Sequence, residues 1–364
     1  MSFWPWDAIM SIPQHISQQL SKDYNIIYAC SNQYHFSKNK IEHLKKSWEL
    51  QFYKVAENLN VVEFPFFPAW KFSFIRTLNH NQWATSISKY LIDNNIKIDI
   101  LWLSSPEQLP FLKIIKRKLS CYHCFDPYEE FYPKLSLIEP EMFQKTDITF
   151  VTAPKLEAKA KIYSKNVFLV PNGAEVEHFQ KVIYQKFNLP YDIKKTSRPR
   201  IGYIGTIAHW MNFDIIEDLS QNVNASIILI GPVESEIAIK LQDEGKVLLL
   251  GKKPYKDLPS YLAFFDVCII PFKDNELVRA VDPIKVYEYL SAGKEVVTTP
   301  MPALDRIDNL IHQVKPQDFS DTVKRVLQSK KSSQSIKNKA DLMHKHSWGS
   351  RAKSITEVFK KNGF

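Results

Sequence analysis

The sequence predicts an α/β protein built from two doubly wound, Rossmann-like domains that face each other across a cleft. Three observations carry that prediction. Short apolar runs alternate with helix-patterned segments along the whole chain, the signature of parallel βα units. The alternation comes as two series of similar size, joined by the polar stretch Lys181–Arg200 with its prolines and clustered bases. The nine glycines begin only at Gly173. A phosphate-cradling turn needs glycine, because backbone N–H groups must approach the anion closely, so a nucleotide is expected on the C-terminal half.

In the first series, apolar runs predict strands at Asn25–Cys30, Val61–Phe64, Ile98–Leu103, Leu119–Tyr122, Ile148–Thr152 and Val167–Val170. Helices are expected between them, among others at Pro13–Leu20, Phe74–Asn94 and Leu109–Arg117. The second series predicts strands at Arg200–Ile204, Ala225–Ile230, Val247–Leu250, Val267–Pro271 and Glu295–Thr298, each followed by a helix. The expected division is a first domain over 1–180, a linker over 181–199 and a nucleotide-binding domain over 200–345. A last helix over 346–364 is expected to pack back on the first domain, reached through a polar bridge, Lys330–Lys339.

The 364 residues are 45% hydrophobic and 24% charged, the balance of an ordinary globular protein. Lys+Arg 48 against Asp+Glu 39 leaves +9, which favours an anionic partner such as a nucleotide, an acidic lipid or nucleic acid. Four cysteines, Cys30, Cys121, Cys124 and Cys268, are too few to staple such a chain, which excludes a disulfide scaffold and favours a reducing compartment. No apolar run reaches the length of about 18 residues that spans a bilayer. The N-terminus lacks the charged and apolar regions of a signal peptide. A cytoplasmic protein is expected, peripheral on the inner face of the cell membrane.

Chemistry concentrates in Asp282-Pro-Ile-Lys-Val-Tyr-Glu-Tyr-Leu-Ser-Ala-Gly293. On a helix beginning at Ile284, Lys285 and Glu288 share a face. The ammonium suits a diphosphate and the carboxylate suits ribose hydroxyls. The plainer alternative is an exposed ion pair worth a few tenths of a kcal/mol. Upstream lie Ile201-Gly-Tyr-Ile-Gly-Thr206 and Leu229-Ile-Gly-Pro-Val233, two strands that run into glycine. Leu249-Leu-Gly-Lys-Lys-Pro-Tyr-Lys-Asp-Leu-Pro259 and Phe265-Asp-Val-Cys-Ile-Ile-Pro-Phe272 follow. Val170-Pro-Asn-Gly-Ala174 with His178-Phe179, and His346-Ser-Trp-Gly-Ser-Arg351, flank this set.

The ordered set resembles the donor domain of GT-B glycosyltransferases, in particular family 4 and its relatives that make bacterial surface polysaccharides. The match runs over about residues 120–355, and a Pro-x-Lys-x-x-Glu-Tyr pattern marks the nearer subgroup. The resemblance implies a sugar moved from a nucleotide donor, UDP rather than GDP, to a glycan or lipid-linked glycan, without a metal or other cofactor. Gly205 and Thr206 would line the diphosphate turn with amides at a helix N-terminus, and Gly231 would end the neighbouring strand. The Gly251–Pro254 loop, with Lys253 and Pro254, would hold the base. Lys285 would contact phosphate and Glu288 ribose. The first acid of the family's Glu-x7-Glu pattern falls on Ala280, with Asp282 the nearest substitute and Arg279 a further cation for the leaving group.

In the first domain, His123, Asp126, Glu129 and Glu130 follow a strand on the side that faces the donor in that family. Asp126 is the candidate base for the acceptor hydroxyl and His123 a second candidate; a helix cap is the plain alternative for Asp126. Trp6-Asp7 to Pro13-Gln-His15 resembles an N-terminal loop of the same relatives, with Ile12 where they carry arginine. Cys121-Tyr-His-Cys124 has zinc-like spacing but no second pair, and reads as buried thiols. The aromatic and basic segments Phe64–Arg76 and Lys113–Lys118 suit an anionic membrane surface. Nucleic acid is disfavoured, since no module signature accompanies the charge. A sugar-nucleotide epimerase of the same fold and a non-catalytic sugar- or lipid-binding module are the rival functions. A Rossmann oxidoreductase is disfavoured, because no Gly-x-Gly-x-x-Gly follows the first strand.

Overall fold

A computed structural model describes residues 6, 10–32, 50–65, 73–131, 133–329 and 332–364. The chain divides into two compact units, 1–171 with 351–364, and 172–350.

The first unit holds two small sheets. Strands β1 (Ile26–Asn32), β2 (Gln51–Ala56) and β3 (Leu59–Pro65) form one in the order β1-β3-β2, with β1 parallel and β2 antiparallel to β3. Strands β4 (Ile98–Leu103), β5 (Arg117–Cys124), β6 (Ile148–Val151) and β7 (Val167–Leu169) form a parallel sheet in chain order. β1 and β4 do not pair with each other, and a cavity of about 780 Å³ lies along their ends. Ile16, Leu91, Ile100, Trp102 and Phe359 are among its walls. Phe359 belongs to the last helix, Trp348–Lys361, whose buried positions Ala352, Ile355, Val358 and Phe359 recur at helical spacing. Its ring meets Trp102 at 6.0 Å and Phe150 at 5.9 Å, so the C-terminal segment completes this unit.

The second unit is built on one continuous sheet. Strands β8 (Arg200–Ile204), β9 (Ser226–Ile230), β10 (Leu248–Leu249), β11 (Val267–Ile270), β12 (Val296–Thr298) and β13 (His312–Gln313) are all parallel, in the order β10-β9-β8-β11-β12-β13. Counted from β8 this is 3-2-1-4-5-6, the doubly wound order. Beyond their first residues, Arg200 and Ser226, β8 and β9 are apolar, as is all of β11, because both faces are covered.

Three expectations change. Residues 172–199 are neither the tail of the first domain nor a linker but part of the second unit. Val176 and Phe179, on the helix Val176–Tyr184, and Ile193 are buried in its core. The polar bridge Lys330–Lys339 becomes, from Ser333, the helix Ser333–Leu342, capped by Ser332 and tied by Lys339 to Glu295 at 2.9 Å. The helix expected to reach Arg117 stops at Ile114, where the Arg117 guanidinium takes the carbonyls of Leu112 and Ile115 and β5 begins. β2 has no sequence signal, since its side chains are largely exposed without alternation. No helix of the described residues is long and apolar enough to cross a membrane.

Candidate active site

In a doubly wound sheet, ligands collect where the strand order reverses, at the carboxyl ends of the strands on either side. Here that point lies between β8 and β11, and the residue that follows β8 is Gly205. Its N–H donates to Ile230 O at 2.8 Å, and the Gly231 N–H donates to Gly251 O at 2.9 Å, so the turns after β8, β9 and β10 are laced together. Gly205 and Gly231 have φ of 153° and 148°. A Cβ on Gly231 would lie 2.0 Å from Gly205 O, and one on Gly205 would lie 2.6 Å from Lys285 Cε. Glycine is favoured by φ at both positions and required by space at Gly231, where the obstacle is backbone.

Lys285 stands in the first turn of the helix Ile284–Ser291. Its Nζ lies 5.6 Å from the centre of the Tyr203 ring and 5.2 Å from that of Phe272, with no ion pair among the described residues. Burial lowers its pKa to about 8, against the pull of Glu288. Two rings and a glycine turn therefore hold an ammonium in want of a counter-charge. Glu288, one turn on, is pushed up to about 7 by burial, with Lys285 and a hydrogen bond from Tyr255 opposing the shift and Glu175 adding to it. Tyr255 OH donates to Glu288 Oε1 at 3.4 Å. Tyr255, Glu175 and His178 carry no sequence signal for this role: Glu175 and His178 lie more than 100 residues before Glu288 and Tyr255 more than 30, and only folding brings Tyr255 and Glu175 beside Glu288 and His178 onto Tyr255.

The other residues singled out on this unit are engaged elsewhere. Asp282 is not a substitute for the missing acid at Ala280. Its buried carboxylate accepts from Asn172 N at 2.7 Å, Tyr287 OH at 2.9 Å and Arg306 Nη2 at 2.7 Å, a saturated knot that anchors the helix start. Lys253 is paired with Asp192 at 2.7 Å, which raises its pKa, and Pro254 opens the short turn Tyr255–Asp257. Arg279 is exposed and held by Asp274 at 2.7 Å. Thr206 does not start a helix: the chain bridges Ile207 to Val233 first, and the helix Phe213–Asn222 begins behind an Asn212 cap.

On the first unit, Asp126 lies just beyond β5, half-buried, with no side-chain hydrogen bond among the described residues. Burial raises its pKa to about 7. The loop carrying it is braced underneath. The buried Glu139 accepts from Tyr122 OH at 2.7 Å and from Lys159, which also pairs with Glu129 at 2.6 Å. His123 is not placed to handle protons. It is buried among Trp102, Phe125 and Phe150, both ring nitrogens lack partners, and burial lowers its pKa to about 3. Cys121 and Cys124 are buried free thiols. In the basic segment, Lys113 pairs with Glu141 and Lys118 with Asp99, so with Arg117 on carbonyls most of its charge is locally satisfied. Residues 66–72 of the aromatic segment and Asp7 of the N-terminal loop lie outside the described residues; Trp6 packs edge-on against Tyr28.

Comparison with known proteins agrees with this geometry. Residues 198–329 match the family described as glycosyl transferases group 1. Over its full length the chain superposes on sucrose-phosphate synthase from Thermosynechococcus elongatus, with TM-score 0.71, 13% identity and coverage of 96% and 92% of the two chains. It superposes equally on an E. coli structure described as trehalose-6-phosphate bound with UDP-2-fluoro glucose, with TM-score 0.73, 13% identity and coverage of 99% and 98%. The fold is GT-B. In sequence, the chain is similar to TuaH of Bacillus subtilis, described as a teichuronic acid biosynthesis glycosyltransferase. That match is 27% identical over 136 residues, covering 35% of this chain and only 34% of the relative's own length.

Proposed function

We propose that this chain is a glycosyltransferase that moves a sugar from a UDP-sugar to a glycan or lipid-linked glycan in the synthesis of a bacterial surface polysaccharide. The observation that carries the reading is Lys285: an ammonium without an ion pair, held against the Gly205 turn where the sheet order reverses. A diphosphate is the ligand whose charge and size complete that arrangement. The likeness to a teichuronic acid glycosyltransferase supports the surface-polysaccharide assignment, and UDP in a fold neighbour supports the choice of base.

In this reading Gly205 lets the diphosphate approach the backbone, Lys285 offsets the charge that grows on the leaving group, and Glu288 accepts from the ribose hydroxyls. Asp126 receives the proton of the acceptor hydroxyl. A carboxyl whose pKa is near 7 is poised for that transfer, because it is substantially ionised at neutral pH yet still basic.

The test is UDP binding by calorimetry. Lys285→Ala removes a charged contact worth about 1.5–3 kcal/mol and should raise Kd about 10- to 150-fold. For the wild type, affinity should fall as pH rises past about 8, because the free protein then loses the proton that phosphate requires. Equal affinity of Lys285→Ala and wild type at about pH 7, where Lys285 is protonated, defeats the assignment. Incubation with a panel of nucleotide sugars, followed by release of the nucleoside diphosphate, then names the donor.

A further inference from the structure

We infer that Tyr255 is a positioning residue that aims the Glu288 carboxylate at the ribose of the bound nucleotide. The inference deepens the donor-site reading and rests on it.

Tyr255 lies in the turn after Pro254, distant in sequence from the helix that carries Glu288. Its hydroxyl reaches Glu288 Oε1 at 3.4 Å. Its ring is clamped. His178 stacks on it with centroids 5.0 Å apart and planes 12° apart, and Phe179 meets it edge-on at 5.6 Å. His178 Nε2 also lies 3.1 Å from Tyr255 O, so ring and backbone of Tyr255 are both held by the helix Val176–Tyr184. A side chain fixed at ring and backbone can hold its partner's rotamer, whereas a free tyrosine could not.

A half-buried carboxylate one helical turn from Lys285 would otherwise swing to the ammonium and form the exposed ion pair that the spacing alone allows. In the structure Lys285 faces rings, and Glu288 is met by Tyr255. The titratable groups around Glu288 are Lys285 on its own helix, Glu175 before the helix Val176–Tyr184 and the neutral Tyr255 on the loop. On the remaining neighbours of that helix, His346 stacks on Tyr287 and Lys339 pairs with Glu295. Tyr255 is therefore the one neutral donor among these groups. It can orient the carboxylate without cancelling its charge, which leaves the second oxygen for the ribose diol.

The experiment compares UDP with its dideoxyribose analogue, which lacks the hydroxyls that Glu288 would receive. Kd is measured calorimetrically on the full chain from about pH 6 to about pH 9. The ratio of the two affinities cancels the titration of phosphate and of Lys285 and reports the ribose contact alone. The wild-type preference for UDP should grow as Glu288 ionises, through about pH 7. Tyr255→Phe keeps the ring clamp. It should shrink the preference about three- to tenfold and move its midpoint to higher pH, because a hydrogen bond to the ionised form is lost. In a Glu288→Gln background the same substitution should change UDP affinity no further.

A preference and midpoint unchanged in Tyr255→Phe overturn the positioning role while leaving the donor site intact. An equal loss of UDP affinity in the Glu288→Gln background overturns it too, since Tyr255 would then act on the nucleotide directly. Wild-type protein that binds neither ligand overturns the donor-site reading, and this inference with it.

Discussion

In the second unit, β8 is hydrogen-bonded to β9 along its whole length and to β11 at Ile201 and Gly202, so the seam at the reversal of strand order is closed over its first half. In the first unit, β1 and β4 stand with their edges unpaired to each other, and a cavity of about 780 Å³ occupies the corresponding seam. The two units share a building plan and differ in how tightly its centre is packed. Where the seam is closed, the turns that follow its strands are locked: Gly205, Gly231 and Gly251 are laced through backbone hydrogen bonds, with no room for a Cβ at Gly231. Where it is open, the cavity is lined by apolar side chains such as Ile16, Ile100 and Trp102 together with polar ones such as Asp23, Asn60 and Lys97. A site that must hold a diphosphate to a fraction of an ångström belongs on the closed unit. In the proposed reaction the first unit presents the Asp126 carboxylate on a loop, and it braces that loop through Glu139 and Lys159.

The comparison can be broken most severely at the chemistry. Asp126→Asn should lower kcat for the UDP-sugar that the enzyme turns over by about 10²- to 10⁴-fold while UDP affinity stays unchanged. The wild-type rate should rise through about pH 7 as this carboxyl ionises. A near-normal rate for the variant, with unchanged thermal stability, would remove Asp126 from the mechanism and leave the first unit without an assigned catalytic group.

A smaller but still large effect is expected at the closed seam. Gly231→Ala sets a methyl 2.0 Å from a backbone oxygen and should cost about 3 kcal/mol or more, from overlap and positive-φ strain together. Gly245 also has positive φ but open space around it, so Gly245→Ala should cost only about 1 kcal/mol. Denaturant midpoints of the two variants compare overlap with strain alone. If they agree, the lacing of the turns is not what holds the site.

The smallest effect is the most direct probe of the open seam. Ile100 lines the cavity and Ile228 is fully buried in the closed sheet. Ile228→Phe should destabilise by about 1–3 kcal/mol, whereas Ile100→Phe should be absorbed at less than about 1 kcal/mol. Equal costs would mean that the two seams are equally filled.

Much of this molecule is legible in its sequence, for reasons tied to particular residues. The parallel strands announce themselves, Ile98–Leu103 and Arg200–Ile204 to the residue, because both are short runs dominated by apolar side chains, interrupted only by Asp99 and opened by Arg200. β2 does not, since an exposed strand with side chains such as Gln51 and Lys54 carries no alternation to read. Gly205, Gly231, Lys285 and Glu288 are legible because each sits at a turn or a helix start whose residue type is dictated locally.

By itself, the sequence determined that the protein is an α/β chain of two series, that glycine turns occur only in the second, and that Lys285 and Glu288 share one helix face. Tertiary structure alone decided what surrounds them. Whether an acid is free or saturated depends on groups distant in sequence. Asp282 is spent on Asn172 and Arg306, and Lys253 on Asp192, while Lys285 lies over the Tyr203 and Phe272 rings with no ion pair among the described residues and Glu288 meets Tyr255. Local pattern reports which chemistry a residue can perform. The partners that consume or release that chemistry arrive through folding, because burial and pairing act over ångströms in space and are blind to separation along the chain.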